Sequence, residues 1–231
     1  MDLSRAVAFV TGANRGLGLA FVRALQAAGV KKIYAAARDP ATVQQPGVIP
    51  VALDVTNPEQ IAAAVRAAPD VSLLINNAGI FRGASFLSAG AVEAARAEFE
   101  TNVIGPLALS QAFAPVLAEQ GGGAIVNVLS VLSWLNVPGG ATYSASKAAA
   151  WSLTNGLRQE LKPQGTAVLG LHVGYMDTDM AAGAQGPKAD PADVARQVLQ
   201  ALAEGRDEVE ADDLSRQVKA GLSAGSYRSE F

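Results

Sequence analysis

The stretch TGANRGLG at residues 11–18 decides the fold class of this 231-residue chain. It follows a short apolar run at 6–10 and precedes a stretch of helical length, so it forms the turn between a first strand and a first helix. In such a turn Gly12 permits the tight bend, Gly16 lets the backbone approach a phosphate, and Gly18 allows close packing of helix on strand. The free N–H groups at the start of the helix then face an anion. The stretch therefore predicts a dinucleotide-binding site.

The spacing of the glycines narrows the kind of site. It is Gly-x-x-x-Gly-x-Gly, and no Gly-Lys-Ser/Thr follows, which excludes a phosphate loop of the Walker type. Asn14, Arg15 and Leu17 lie between the glycines and belong to the predicted cofactor-binding segment. A glycine-rich turn that binds no ligand is the alternative. The position at the first strand–helix junction favours binding.

Short β-branched runs alternate with alanine- and leucine-rich stretches along the chain. The runs are apolar almost throughout, which is typical of strands covered on both faces. The alternation predicts one α/β domain over residues 1–231, with a Rossmann-type doubly wound, mostly parallel seven-stranded sheet flanked by helices. The predicted strands are 6–10, 32–36, 48–53, 71–76, 124–129, 166–173 and 208–211. The predicted helices are 16–28, 58–68, 91–118, 143–161 and 191–203, and Pro106 and Pro115 should bend the third of these helices.

The composition excludes several classes of function. The net charge of −3 gives no basic surface for nucleic acid or for an anionic membrane. Without cysteine there is no disulfide, thiol nucleophile or thiolate metal site, and the single histidine, His172, excludes a histidine-rich metal site. The first apolar run is too short for a signal peptide, and no segment reaches the ~18 uninterrupted apolar residues of a membrane span. We therefore expect a soluble cytoplasmic enzyme acting on a small molecule.

Tyr143 and Lys147 lie four residues apart in a predicted helix, so their side chains share one face. A free tyrosine has a pKa of about 10 and is a poor acid–base catalyst near neutral pH. A nearby ammonium group favours the phenolate and lowers that pKa. The pair is therefore a candidate for proton transfer, although two incidental neighbours on a helix would look the same.

Five further motifs follow the glycine stretch in a fixed order. They are LDVT at 53–56, NNAG at 76–79, Asn102 within TNVIG, Ser130 after the fifth predicted strand, and YSASK at 143–147. Together with the glycine stretch they closely resemble the short-chain dehydrogenase/reductase family, and the resemblance covers almost the whole chain. It implies hydride transfer between a nicotinamide cofactor and a carbonyl compound or alcohol.

The resemblance also implies a role for each matching residue. Ser130 would hold the substrate oxygen, Tyr143 would move the proton, and Lys147 would tune the phenol and hold the nicotinamide ribose. Asn102 would steady a water on the proton path, and Ser133 is a rival to Ser130 that lies further into the loop. The residues implied to hold the adenosine half of the cofactor are Asp54, Val55, Asn76, Ala78 and Gly79.

The choice of cofactor depends on the residue at the end of the second strand, which meets the ribose 2′ position. Arg38 lies there and Arg15 is a second cation in the glycine stretch, and guanidinium groups form forked bonds to phosphate. These residues predict a preference for NADP(H). NAD(H) stays possible because Asp39 follows directly and could accept a bond from a ribose hydroxyl.

The segment after the sixth strand, HVGYMDTDM at 172–180, departs from the family pattern of Pro-Gly. Val173 takes the proline position and Gly174 is retained, so a contact of Gly174 with the nicotinamide is implied less strongly. Thr178 matches a family residue that binds the cofactor. Residues 179–188, rich in Gly and Ala, predict a mobile substrate lid. An apolar substrate pocket could be lined by Trp134, Leu135, Tyr175 and Met180, each of which could equally be a core or interface residue.

The leading hypothesis is an NADPH-linked carbonyl reductase. The alternatives are an NAD-linked alcohol dehydrogenase and a non-catalytic nucleotide-sensing protein with the same fold. Because the helices at 91–118 and 143–161 present small apolar faces that the family pairs between subunits, we expect a homodimer or a homotetramer.

Overall fold

A computed structural model describes residues 1–228 and contains one seven-stranded, fully parallel sheet. The strand order is β3-β2-β1-β4-β5-β6-β7, which reverses direction between β1 and β4. In such sheets a ligand binds at the carboxyl ends of the strands beside this switch point. The strands are β1 (Val7–Thr11), β2 (Lys32–Ala37), β3 (Ile49–Ala52), β4 (Leu73–Asn76), β5 (Ala124–Val128), β6 (Ala167–His172) and β7 (Glu208–Glu210). The predicted doubly wound fold is confirmed.

Helices cover both faces of the sheet and enclose two apolar clusters. One face carries α1 and α6, and the other carries α2, α4 and α5. Phe21 of α1 and Phe113 of α4 are fully buried on opposite faces, which explains why the strands are apolar throughout. The helices are α1 (Gly16–Ala27), α2 (Pro58–Ala67), α3 (Ala91–Phe99), α4 (Gly105–Glu119), α5 (Ala141–Glu160), α6 (Pro191–Glu204) and α7 (Asp213–Ala220).

The helical stretch predicted at 91–118 is observed as Ala91–Glu119, but it is not one regular α-helix, because a π-helical turn, Glu100–Ile104, separates α3 from α4. Pro106 explains the break. It has no N–H with which to bind the carbonyl four residues earlier, which belongs to Asn102, so the α-helical pattern cannot continue there. Pro106 instead lies in the first turn of α4, where a missing N–H costs little, while Pro115 lies inside that helix.

The helix α7 was missed by the sequence analysis. Its sequence, DLSRQVKA, is short and mostly polar, and it buries only Ser215 and Val218. The side chain of Asp212 caps it by accepting a hydrogen bond from the N–H of Ser215. This aspartate before a short helix is the one local signal that could have indicated it.

The continuous helical stretch Ala91–Glu119 has a mean hydropathy of 1.2 over its most apolar 18 residues. By length and composition alone it could cross a membrane. In this fold α4 lies on the sheet, with Leu109, Phe113 and Leu117 buried against it.

Candidate active site

The glycine loop has the geometry that its sequence predicts. Gly12 and Gly16 have φ angles of +63° and +53°, and residues that carry a Cβ rarely adopt this backbone conformation. Gly18 lies so close to the first turn that a Cβ on it would be 2.0 Å from the carbonyl oxygen of Gly12. The first helix therefore packs against the strand only because position 18 has no side chain.

Gly18→Ala is expected to destabilise the protein by about 3 kcal/mol, the upper part of the range for overpacked sites, because backbone must move to admit the methyl group. Gly156→Ala is the matched control. It lies inside α5 where a Cβ meets no atom of the described chain within 4 Å, so alanine should be neutral or stabilising there. Urea unfolding of the two variants measures the difference. Equal midpoints for both would contradict the packing argument.

The loop is tied to the neighbouring strand end by Thr11 and Asn77, two residues that the sequence analysis did not single out. The Thr11 hydroxyl accepts hydrogen bonds from the N–H groups of Asn77 and Ala78, each at 2.9 Å. The Asn77 amide donates to the carbonyl of Thr11 at 2.9 Å. The NNAG motif, which contains Asn77, was the available signal.

The start of α1 is shaped to receive an anion. No side chain caps this end of the helix within residues 1–228, so its first N–H groups are available to a ligand. Thr178 lies opposite, with its methyl carbon 3.4 Å from where a Cβ of Gly16 would be. Arg15 forms an exposed ion pair with Asp179 at 2.7 Å, which brings the segment after β6 over the loop.

Arg38 and Asp39, the two candidates to contact the cofactor's ribose, differ in their surroundings at the end of β2. The carboxylate of Asp39 accepts a hydrogen bond from the N–H of Ala41 at 3.0 Å, capping a short turn, Pro40–Thr42. Arg38 remains exposed at the strand end. Because the Asp39 carboxylate has a partner in its own turn, the arginine is the better-placed group to meet a ligand.

Asp54 and Val55 lie beside this strand end. The Asp54 carboxylate accepts hydrogen bonds from the N–H and the hydroxyl of Thr56, at 2.9 and 2.7 Å, and these bonds lower its pKa. Val55 is buried and packs against Gly105, where a Cβ would lie 3.0 Å from its side chain. Both residues thus stand at the edge where the resemblance implies the adenine.

Ser130 follows β5 and is held at its backbone by Ser133. The Ser133 hydroxyl accepts a hydrogen bond from the N–H of Ser130 at 3.2 Å, and the Ser130 hydroxyl caps the same short turn by accepting from the N–H of Leu132. The Ser130 hydroxyl also donates to the carbonyl of Val173 at 3.4 Å. Of the two serines, Ser130 is the one whose side chain acts to lower the pKa of Tyr143. Ser133 therefore supports the turn rather than replacing Ser130.

His172 contacts the backbone of Ser130. Its ring is fully buried, stacks on Trp134 with ring centroids 3.8 Å apart, and places Nδ1 at 3.1 Å from the Ser130 carbonyl oxygen. Its Nε2 lies 3.7 Å from the carboxylate of Glu208, and the neighbouring His172, Lys219 and Trp151 lower the pKa of that carboxyl. The histidine is therefore packed in the core.

Tyr143 and Lys147 share one face of α5 next to Ser130. The Lys147 ammonium lies 5.6 Å from the centroid of the Tyr143 ring and donates to the carbonyl of Val128 at 2.8 Å. Burial lowers the pKa of Lys147 to about 8. Burial also raises the pKa of Tyr143, the interaction with Ser130 opposes that rise, and the charge of Glu98 adds to it. A half-buried phenol and a buried ammonium group thus lie close together with their pKa values shifted in opposite directions.

Asn102 lies in the π turn, and its side chain connects this turn to the segment after β4 and to α5. Its side-chain oxygen accepts from the N–H of Ile80 at 2.9 Å, and its amide donates to the Ile80 carbonyl and to the hydroxyl of Ser146. A Cβ on Gly79 would be only 3.2 Å from the Asn102 oxygen, which explains the glycine of the NNAG motif.

A cavity of about 10 Å³ lies between Asn76, Asn102, Asn127 and Lys147. The amide of Asn76 donates to the Asn127 side chain at 2.9 Å and to Ser110, which joins β4 to β5 and α4. Its side-chain oxygen is buried and has no partner among the described residues. A volume of this size with polar walls suits a single water molecule.

The segment after β6 differs from the implied contacts in one respect. The N–H of Gly174 donates to the carboxylate of Asp212, so it is directed toward the start of α7. Tyr175 and Met180 are exposed, at 49% and 56%. Trp134 and Leu135 are buried in a small cluster with Val218, so these two are core residues rather than free pocket walls.

No group of three or more metal-binding side chains occurs within residues 1–228.

Residues 6–188 match the short chain dehydrogenase family. The chain therefore belongs to this family of oxidoreductases, which its motifs already resembled.

Two solved structures and one further protein are similar to this chain over most of its length. A short chain dehydrogenase from Burkholderia cenocepacia, solved in complex with NADP, is 43% identical with a TM-score of 0.93, over 97% of this chain and 95% of its own. A short chain dehydrogenase/reductase from Burkholderia phymatum, solved with NAD, is 26% identical with a TM-score of 0.83, over 97% and 96%. A 3-oxoacyl-[acyl-carrier-protein] reductase from Vibrio cholerae is 34% identical over 78% of this chain and 77% of its own.

Proposed function

We propose that this protein is an NADP(H)-dependent oxidoreductase that interconverts a ketone or aldehyde and the corresponding alcohol. The observation that carries the proposal is the arrangement of Ser130, Tyr143 and Lys147. The Lys147 ammonium lies 5.6 Å from the centroid of the Tyr143 ring, and the Ser130 side chain acts to lower the pKa of the Tyr143 phenol. A non-catalytic nucleotide sensor with this fold would not need such a group.

The described residues fit the cofactor. The positive φ angles of the glycine loop and the uncapped start of α1 offer N–H groups to a pyrophosphate, and Thr178 faces them. In the proposed site these contacts come from Gly12, Asn14, Arg15, Gly16, Leu17, Gly18 and Thr178. Arg38, Asp54, Val55, Asn76, Ala78 and Gly79 serve the adenosine half, and Tyr143, Lys147 and Gly174 the nicotinamide half. When bound, the cofactor supplies or accepts the hydride at the carbonyl carbon.

The side chains of the site bind the oxygen of the substrate and exchange a proton with it. In reduction, Ser130 donates a hydrogen bond to the carbonyl oxygen and Tyr143 gives that oxygen its proton. In alcohol oxidation, Tyr143 takes the proton back. The positive charge of Lys147 favours the phenolate that the first step leaves, against the burial that disfavours it.

The proton given up by Tyr143 is replaced from solvent by way of Lys147. The cavity beside Lys147 and Asn102 suits one water, and Asn76 offers it an unpartnered oxygen. We propose that Asn102 steadies this water. The depressed pKa of Lys147, about 8, keeps its proton transferable near neutral pH.

A panel of ketones, aldehydes and secondary alcohols, offered with NADPH and with NADH and followed at the absorbance of the reduced nicotinamide, tests the proposal. Turnover with NADPH supports it. Turnover confined to NADH would favour the alternative of an NAD-linked alcohol dehydrogenase. Binding of either cofactor without turnover across the panel would favour the nucleotide sensor.

Arg38→Ala is expected to lower kcat/KM for NADPH by roughly 10- to 100-fold, the effect of about 1.5–3 kcal/mol for a bond to a charged group, and to leave NADH turnover almost unchanged. The reason is that only NADPH carries the 2′-phosphate. Lys31→Ala, which removes an exposed cation next to the opposite end of β2, is the matched control. An equal loss with both cofactors would show that Arg38 does not read the phosphate.

Two further expectations belong to this proposal. The exposed apolar residues of α3 to α4, among them Val92, Ile104 and Leu107, favour pairing of subunits through this face. We propose a homodimer or homotetramer that acts in the cytoplasm on a small molecule. Sedimentation of the purified protein measures the assembly.

A further inference from the structure

The segment 80–84, which follows the NNAG motif, passes directly beside Tyr143. The ring of Phe81 lies edge-on to the ring of Tyr143, with the two centroids 5.1 Å apart and the planes at 68°. Phe81 is 46% exposed, so one side of its ring contacts the phenol and the other faces solvent. An apolar surface therefore stands next to the group that meets the substrate oxygen.

The backbone of this segment is held at three points by residues from three helical elements. Asn102 in the π turn binds both the N–H and the carbonyl of Ile80. Thr142 of α5 accepts from the N–H of Ala84 at 3.3 Å and donates its own N–H to the Ala84 carbonyl at 3.1 Å. Between these two points the only side chain of the described residues that binds the segment's backbone is that of Glu98.

Glu98 of α3 supplies the central attachment. One carboxylate oxygen accepts hydrogen bonds from the N–H groups of Arg82 and Gly83, at 2.7 and 3.2 Å. Gly83 has φ of +64°, and a Cβ there would lie 2.5 Å from the Phe81 ring. Two consecutive N–H groups that converge in such a turn form a concave site for an anion. The turn that presents Phe81 is thus built around the carboxylate.

The burial of Glu98 shows that this attachment is costly. The side chain is fully buried, and its second oxygen has no hydrogen-bond partner among residues 1–228. Removing a carboxylate from water costs several kcal/mol unless its partners compensate. Its charge also acts on the phenol of Tyr143, where it raises the pKa. A residue serving only the packing of α3 would need no hydrogen-bond-accepting oxygen at this position.

We propose that Glu98 is a positioning residue for the reaction proposed above: it anchors the turn at 80–84 and so holds the Phe81 ring beside Tyr143 as a fixed apolar wall. The substrate class that suits this wall is a carbonyl compound with an aryl or branched apolar substituent. The inference rests on the proposed function, because the wall has a role only if Tyr143 meets a substrate.

Three variants separate this role from a purely structural one. Glu98→Gln keeps an oxygen that accepts from both N–H groups, Glu98→Ala removes it, and Glu100→Gln makes the same charge change at an exposed neighbour. Phe81→Ala removes the wall and leaves the turn. Steady-state kinetics with NADPH compare acetophenone with butanone. Amide hydrogen exchange at Arg82 and Gly83 reports on the turn without any turnover.

Glu98→Ala and Phe81→Ala should each raise KM for acetophenone by about 10-fold or more relative to butanone, the size of an apolar pocket contact, with KM for NADPH unchanged. Glu98→Ala alone should lose exchange protection at Arg82 and Gly83. Glu98→Gln should restore both readouts, and Glu100→Gln should match the wild type. Should Glu98→Ala fail to fold, Phe81→Ala and Glu98→Gln still provide the comparison.

An equal loss with both ketones, or protection that persists in Glu98→Ala, would overturn the proposal. So would a selective loss in Glu98→Ala that Phe81→Ala does not reproduce. If the wild type reduces neither ketone, the proposed function fails for this substrate class and the specificity inference fails with it. Exchange at Arg82 and Gly83 then still decides whether Glu98 anchors the turn.

Discussion

Tyr143→Phe should lower kcat for ketone reduction by about 10²- to 10⁴-fold, the contribution of a positioned acid–base group, and leave KM for NADPH within about threefold. In the proposed mechanism the phenol is the proton donor, and its ring centroid lies 5.6 Å from the Lys147 ammonium. The substitution removes one oxygen and keeps the ring that packs against Phe81, so the fold should persist.

Tyr175→Phe is the matched control for this experiment. Tyr175 is an exposed tyrosine after β6, 49% accessible, and its hydroxyl takes no part in the proposed proton transfer. Both variants are compared with the wild type by stopped-flow mixing with NADPH and a ketone that the wild type reduces. Turnover that survives in Tyr143→Phe would remove the tyrosine from the mechanism.

Lys147→Met should abolish most turnover and, unusually for a core substitution, stabilise the protein without cofactor. Burial lowers the pKa of Lys147 from 10.5 to about 8, so carrying the charge costs the folded state up to about 3 kcal/mol. The loss of the hydrogen bond to Val128 offsets about 1 kcal/mol of that gain. Methionine fills a similar volume without a charge.

The pH dependence of this effect has a definite sign. Below pH 8 both folded and unfolded wild-type chains carry the Lys147 proton, and the folded chain bears the full cost of the buried charge. Between pH 8 and 10.5 the unfolded chain binds more protons at this group, so the wild type gains stability as pH rises. The advantage of Lys147→Met should therefore be largest at neutral pH and shrink toward pH 10.5.

Urea unfolding of the wild type and Lys147→Met at neutral and at alkaline pH measures that difference. Lys31→Met, which replaces an exposed lysine, should show neither the stabilisation nor its pH dependence. A Lys147→Met protein that is less stable than the wild type at neutral pH would contradict the argument. It would mean that the Val128 bond outweighs the cost of burying the ammonium.

The local patterns of the chain were enough to predict the sheet, because its strands are buried on both faces and their apolar runs end close to the observed bounds. The glycine loop followed from its spacing, since the positive φ of Gly12 and Gly16 and the contact at Gly18 leave few alternatives. Where a prediction depended on one local contact, as in these turns, the sequence contained the information.

The features that the sequence did not reveal depend on contacts between distant residues. Glu98 looked like one more charge on a helix, and only the fold brings it under the N–H groups of Arg82 and Gly83. The short helix α7 was missed because its few buried side chains give no periodic pattern. The break in the helix at 91–118 was foreseen as a bend at Pro106, but its π geometry depends on packing that no local pattern encodes.

The missing N–H of Pro106 fixes the break in the helix whether or not a ligand is bound. Because the defect is covalent, no fluctuation of the chain can restore the α-helical bond to the Asn102 carbonyl. The interruption of the helix at Asn102 therefore exists before any ligand arrives. Neither cofactor nor substrate has to use binding energy to break the helix there, so one peptide unit removes an ordering cost from binding.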